Sequence, residues 1–156
     1  MYDLIKYLID IAYLVLLVGP VSIFLHECGH MLGAVMEKAY PIIMHIGRGK
    51  KRFHLHIKHL DLFIYSWYFL GGMTDMTRTI PYSTKKMIFT TLSGPLCSLI
   101  IAVFFLLLFE FTLSRYALLW GLFNGWLGLS NLIPYKLGKK CSDGYIIWQA
   151  AVANRK

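Results

Sequence analysis

Apolar residues along this chain fall into three long runs, with an alternating stretch after the first and a short polar turn between the last two. From Ile11 to Met36 the only charge-bearing or imidazole side chains are His26, Glu27 and His30. Met87 to Phe109 and Tyr116 to Tyr135 carry no charge at all. Each run reaches the roughly 20 apolar residues that a helix needs to cross a bilayer. Between the first two runs, Phe53-His54-Leu55-His56-Ile57-Lys58 alternates apolar and polar residues, the period of a half-buried strand. Leu62 to Leu70 is rich in aromatics and reads as its partner, with His59-Leu60-Asp61 near the turn. The last apolar stretch, Tyr145 to Ala153, is too short to span. The pattern predicts an α-helical multi-pass membrane protein with three transmembrane helices, at about 11–36, 87–109 and 116–135. A β-hairpin at about 42–72 lies at the membrane surface between the first two, and a short C-terminal helix occupies about 144–153. Residues 1–156 are expected to form one core, with no cleaved signal peptide and no appended sensory domain.

Small and helix-disturbing residues punctuate the spans. Gly19-Pro20 precedes His26 and predicts a disturbance of the first helix. Ser93-Gly94-Pro95 interrupts the second. In the third, Gly121, Asn124, Gly128, Asn131 and Tyr135 fall on one helical stripe, and Gly29 and Gly33 form a shorter one beside the histidines. Small residues let helices approach closely in lipid, so the third span is expected to pack against the side of the first that carries His26 and His30.

Charge adds an orientation. The chain has 16 Lys and Arg, 8 Asp and Glu, and a net charge of +8. A basic chain can suggest nucleic acid, but these cations cluster in the 38–86 loop and after the third span, as cytoplasmic segments of membrane proteins do. This predicts a multi-pass protein of the cell membrane with the N-terminus outside and the C-terminus, the 38–86 loop and the His26–His30 end of the first span, the side where the active site is placed below, cytoplasmic. No nucleic-acid partner is expected. His54, His56 and His59 read as the polar side of a basic strand, in contact with water or lipid phosphate. The three cysteines do not make a disulfide framework.

His26-Glu27-Cys28-Gly29-His30 is where chemistry is expected. Two histidines four residues apart lie on one helical face, where they can share a Zn²⁺. Glu27 stands beside them, placed to take a proton from an attacking water. Ionisable groups at membrane depth are costly and point to function. A catalytic zinc usually takes three protein ligands, so one is missing. Asp143 stands out, following the third span and opening the last apolar segment. Asp61 and Asp75 lie on or after the hairpin, and Asp10 and Glu110 fall at the outer ends of their helices. A capping role for Ser142 or Asp143 at the final helix is the alternative.

His26-Glu27-Cys28-Gly29-His30, Ser93-Gly94-Pro95 and Asn131-Leu132-Ile133-Pro134 followed by Asp143-Gly144 occur in the order found in the site-2 protease family of intramembrane zinc metalloproteases. Over about residues 11 to 150 the chain resembles that family. The resemblance implies one Zn²⁺ per chain held by His26, His30 and Asp143, with Glu27 as general base. It also implies strands after the first core helix that hold substrate in extended form. Two departures stand out. Ser98 occupies the place where relatives often carry an asparagine. The link from Tyr135 to Ser142 is longer and more basic than usual, so Asp143 must reach the metal by a different path, or the link must fold back on itself.

The activity expected is hydrolysis of a peptide bond in or near a transmembrane segment. Asn124, Asn131, Gly71 and Gly72 are candidate substrate-binding positions, and the expected partners are a membrane protein or hydrophobic peptide substrate and the lipid bilayer. A regulatory membrane partner or self-association is compatible with so small a core. A zinc transporter would need polar residues lining a path through spans two and three, which carry no charge. An inactive peptide-binding relative would have no need of Glu27.

Overall fold

The computed structural model describes residues 2–76, 83–138 and 140–153. Helix α1 (Tyr2–Tyr13), a π-helical turn (Leu14–Val18) and α2 (Gly19–Met36) run on as one long apolar helix. The Gly19 N–H donates to the Leu14 carbonyl, the bond of a widened turn. Pro20 has no N–H to give and its ring crowds the turn before it, so the disturbance expected at Gly19-Pro20 is taken up by this widening. After the sheet come α3 (Thr84–Thr112), α4 (Arg115–Leu132) and the short α5 (Asp143–Ala153).

Among the described residues, two helices are long and apolar enough to cross a membrane, Leu4–Met36 and Thr84–Thr112. Only 22% of the apolar window of either is buried within the chain, which separates them from the core helices of a water-soluble domain. Ile100, Val103, Phe104 and Leu107 all project outward from α3. Helix α4 does not reach the same apolarity: Arg115, Asn124 and Asn131 fall within its 18 residues. It also stops short of the expected residue 135. Pro134 cannot donate to the helix and drives Ile133 into extended backbone (φ −68°, ψ 125°), so Tyr135 drops off the helical stripe.

Leu113-Ser114 is the whole connection between α3 and α4, which makes the two antiparallel neighbours. Their packing corrects the expected helix arrangement. The Gly121 and Gly128 side of α4 meets α3, against Leu106 and Leu99. Gly29 and Gly33 of α2 also meet α3, against Ser93, Gly94 and Cys97. The side of the first helix that carries His26 and His30 is therefore packed by α3. The stripe pattern marked which residues allow close approach, but not which helix approaches. The outer pair also touches: Asn124 Nδ2 donates to Ser22 Oγ on α2 at 2.9 Å, and Trp120 Nε1 donates to the Tyr13 hydroxyl at 2.9 Å. At the far end Arg115 pairs with Asp10 (3.4 Å), joining the start of α4 to α1.

The hairpin is longer than its alternating core suggested: β1 (Ile42–Ile57) and β2 (Leu60–Met76) are joined by a turn at Lys58-His59. Both strands bend, so each pairs twice. Ile42–Ile46 runs parallel to Leu60–Ile64 on one side and lies opposite Gly72–Met76 on the other, while Phe53–Ile57 returns along Leu60–Ile64. The result is a small folded sheet whose inner segment buries Ile42, Met44 and Ile46. At its tip His54 Nε2 and His56 Nδ1 both lie on Asp61 Oδ1, at 2.7 and 3.0 Å. Those hydrogen bonds hold the Asp61 carboxyl below the usual carboxylate range.

Candidate metal centre

His26 and His30 sit one turn apart on α2, with their rings edge to face at 4.9 Å. Both are buried, at 5% and 6% exposure. Asp143, the first residue of α5, reaches the same point from 113 or more residues further along the chain. Its Oδ2 lies 3.2 Å from His26 Nε2 and 3.4 Å from His30 Nε2. The ligand atoms of all three lie within 4.8 Å of one another.

These spacings suit a metal. Ligands about 2.0–2.1 Å from a tetrahedral zinc stand about 3.3 Å apart. The proton inventory agrees. His30 Nδ1 lies 3.0 Å from the Thr90 carbonyl oxygen, which can only accept, so Nδ1 carries the proton. In a neutral imidazole, Nε2 then presents a bare lone pair to a carboxylate oxygen. That pairing is repulsive unless a metal ion or a second ring proton lies between them. His26 Nδ1 shares a hydrogen bond with Ser98 Oγ at 2.9 Å, which likewise turns its Nε2 toward Asp143. Such outer contacts set the tautomer and orientation of metal-binding histidines.

The backbone around the site leaves no spare room. A Cβ on Gly94 would fall on the His30 ring, so only glycine lets α3 pass this close to α2. The long Tyr135–Ser142 link folds back on itself. Short strands β3 (Lys136–Leu137) and β4 (Lys140–Cys141) pair antiparallel, which returns the chain to where it left α4. Ser142 closes the fold: its hydroxyl donates to the Ile133 carbonyl (2.7 Å) and accepts from the N–H groups of Tyr135 (3.0 Å) and Tyr145 (3.1 Å). Ser142 thus caps α5 and leaves the Asp143 carboxylate free to face the histidines. At Gly144 a side chain would strike the Leu132 carbonyl, so glycine lets α5 start against the end of α4.

Glu27 is 6% exposed, and a buried carboxylate needs a donor. The Thr74 hydroxyl on β2 supplies one, donating to Glu27 Oε2 at 2.6 Å. Gly72 lies against the same side chain; a Cβ there would come within 2.8 Å of Glu27 Cγ. The end of β2 is therefore the wall beside Glu27. Gly71 turns through a left-handed conformation (φ +98°) with open space around its Cα. Asn124 is fully buried, its Nδ2 committed to Ser22 and the Trp120 carbonyl, which places it in helix packing. Asn131 Nδ2 donates to the Leu127 carbonyl, within its own helix.

Thr74, Thr90 and Ser98 were not singled out for these contacts by the sequence. Each acts across 47 to 72 residues, and no local spacing announces such a contact. The other acids, Asp10, Asp61 and Asp75, pair with Arg115, with His54 and His56, and with His45. A protein-family model described as Peptidase family M50 matches residues 12–115, which include His26, Glu27 and His30 and end before Asp143. No curated protein matches the chain.

Proposed function

We propose, from the premise that this chain belongs to peptidase family M50, the site-2 protease family of zinc-dependent metalloproteases, that it hydrolyses a peptide bond in or near the transmembrane segment of a membrane protein or hydrophobic peptide. The observation that carries this reading is the meeting of His26, His30 and Asp143 next to Glu27, on a helix long and apolar enough to cross a bilayer.

His26, His30 and Asp143 would hold one Zn²⁺, which when bound supplies Lewis-acid activation of water and of the scissile carbonyl. Glu27 accepts the proton of the attacking water and returns it to the leaving amine. Thr74 fixes the carboxylate while it does so. Helices α2 and α3 exclude bulk water from the buried side of the site, which strengthens each of these interactions.

A transmembrane helix hides its peptide bonds in its own hydrogen bonds, so the substrate must unwind before it is cut. The last stretch of β2, Gly72–Met76, runs beside Glu27, and an unwound substrate stretch can be held there by strand addition. Helix α4 forms the third crossing: it lies antiparallel to α3, and its Asn124 amide donates across the bundle to Ser22, as polar groups between helices in lipid do. The N-terminus lies outside, and the sheet, the 135–142 link and α5 lie on the cytoplasmic side.

Glu27→Gln tests the assignment. The amide keeps the size of the side chain and loses the base. Cleavage of substrate should fall at least a hundredfold while zinc content stays at the wild-type level. Cleavage at an undiminished rate would remove Glu27 from the base role.

A further inference from the structure

A cavity of about 380 Å³ opens where β1 and β2 bend, lined by His45, Gly47, Arg48, Tyr65, Gly72 and Lys140 among others. Two of its cations come from unrelated parts of the chain. Arg48 lies at the β1 bend. Lys140 lies on β4, and reaches the cavity because the link after Pro134 is long enough to fold into a hairpin. Among the described residues neither has an acidic partner. Asp75, which lies 4.0 Å from His45, is not part of the lining. Partial burial, with a smaller contribution from the Arg48 guanidinium, pushes the Lys140 amine below the ordinary lysine range.

Two like charges brought to one cavity without a counter-charge cost free energy, which an anion would return. The walls narrow the kind of anion. Gly47, Gly49, Gly71 and Gly72 form much of the lining, so an extended main chain can come close. Gly72 also lies directly against Glu27. An occupant of the cavity is therefore one residue's breadth from the catalytic base, a place for substrate rather than for lipid.

We propose that this basic cavity receives a carboxylate of the substrate peptide, from a chain terminus or an acidic side chain, and so sets how far from the anion the peptide is cut. The proposal rests on the metalloprotease reading for the identity of its substrate. It also gives a role to the basic link, which the zinc site uses only to carry Asp143 back to the bundle.

The test uses the full chain carrying Glu27→Gln, zinc-loaded, in nanodiscs of zwitterionic phospholipid. The probes are three dye-labelled hexapeptides of alanine and leucine: one with a free C-terminal carboxylate, one capped as the amide, and one amide with a single internal glutamate. Binding is read by fluorescence anisotropy. The free acid, the glutamate peptide or both should bind about tenfold tighter than the neutral amide, as expected of a charge-assisted contact in a partly solvated site. Which of the two gains identifies the source of the carboxylate. Arg48→Gln with Lys140→Gln should bring the ratio close to one while zinc per chain is unchanged. Equal binding of all three peptides, no binding of any, or a preference that survives the double variant overturns the proposal. So does a preference abolished by anionic phospholipid in the disc, which would assign the cavity to headgroup phosphate. Zinc content and wild-type cleavage report on the metalloprotease reading separately, so either idea can fail alone.

Discussion

Gly94 carries a heavy steric duty for a residue with no side chain. The His30 ring occupies the space a methyl would take, and the ring is itself pinned by the Thr90 carbonyl. Alanine is the better helix former by about 0.8–1.0 kcal/mol, so propensity alone favours Gly94→Ala. We predict the opposite for the site: the variant should fold but bind zinc at least tenfold more weakly, because His30 must turn its Nε2 away. A chelator-competition titration on purified protein reads this directly, and wild-type affinity would show that the ring has room to spare. At this scale the local signals were the legible ones. His26, Glu27 and His30 announce themselves by a spacing of one helical turn. Asp143 stood out by position but shared that position with a capping role, and the structure separates the two by giving the cap to Ser142. Ser98, in place of the asparagine common in relatives, supports His26 instead, which no spacing could reveal.

Among the elements, the link between α4 and α5 decides whether Asp143 reaches the two histidines. Ser142 is its hub, with one buried hydroxyl satisfying Ile133, Tyr135 and Tyr145. Ser142→Ala would take that partner from the Ile133 carbonyl and the Tyr135 N–H, while the Tyr145 N–H keeps the Ser142 carbonyl, and would cost about 1–3 kcal/mol. The thermal midpoint should fall and zinc affinity should fall with it, since Asp143 is the next residue. A lowered midpoint with unchanged zinc affinity would mean that α5 is positioned by its packing against α3 and α4 alone. Apolar runs showed where the helices lie, because burial in lipid needs only composition and length. They could not show which helices touch. Close approach depends on three-dimensional neighbours, which is why Gly29 and Gly33 meet α3 rather than α4. The sheet was half visible. Phe53–Lys58 alternates openly, but Ile42–Ile46 gains its buried face from its place between Leu60–Ile64 and Gly72–Met76 and from packing of Ile42 against Ala34 and Ala39.

For the whole molecule the question is orientation. Lysine and arginine concentrate on the side that holds the sheet and the 135–142 link, and large apolar side chains face outward along α2 and α3. Cys141, exposed on β4, reports on that side. In a variant with Cys28 and Cys97 replaced by alanine, a membrane-impermeant maleimide should label Cys141 only after cells are opened. Labelling of intact cells would invert the topology and place the metal centre toward the outer face.

The central claim is that His26, His30 and Asp143 hold one catalytic ion, and zinc per chain in detergent-purified protein tests it without any substrate. Wild type should carry about one zinc, and His26→Ala and Asp143→Ala should each lose most of it. Folded wild type without zinc, or zinc that survives Asp143→Ala, would contradict the account.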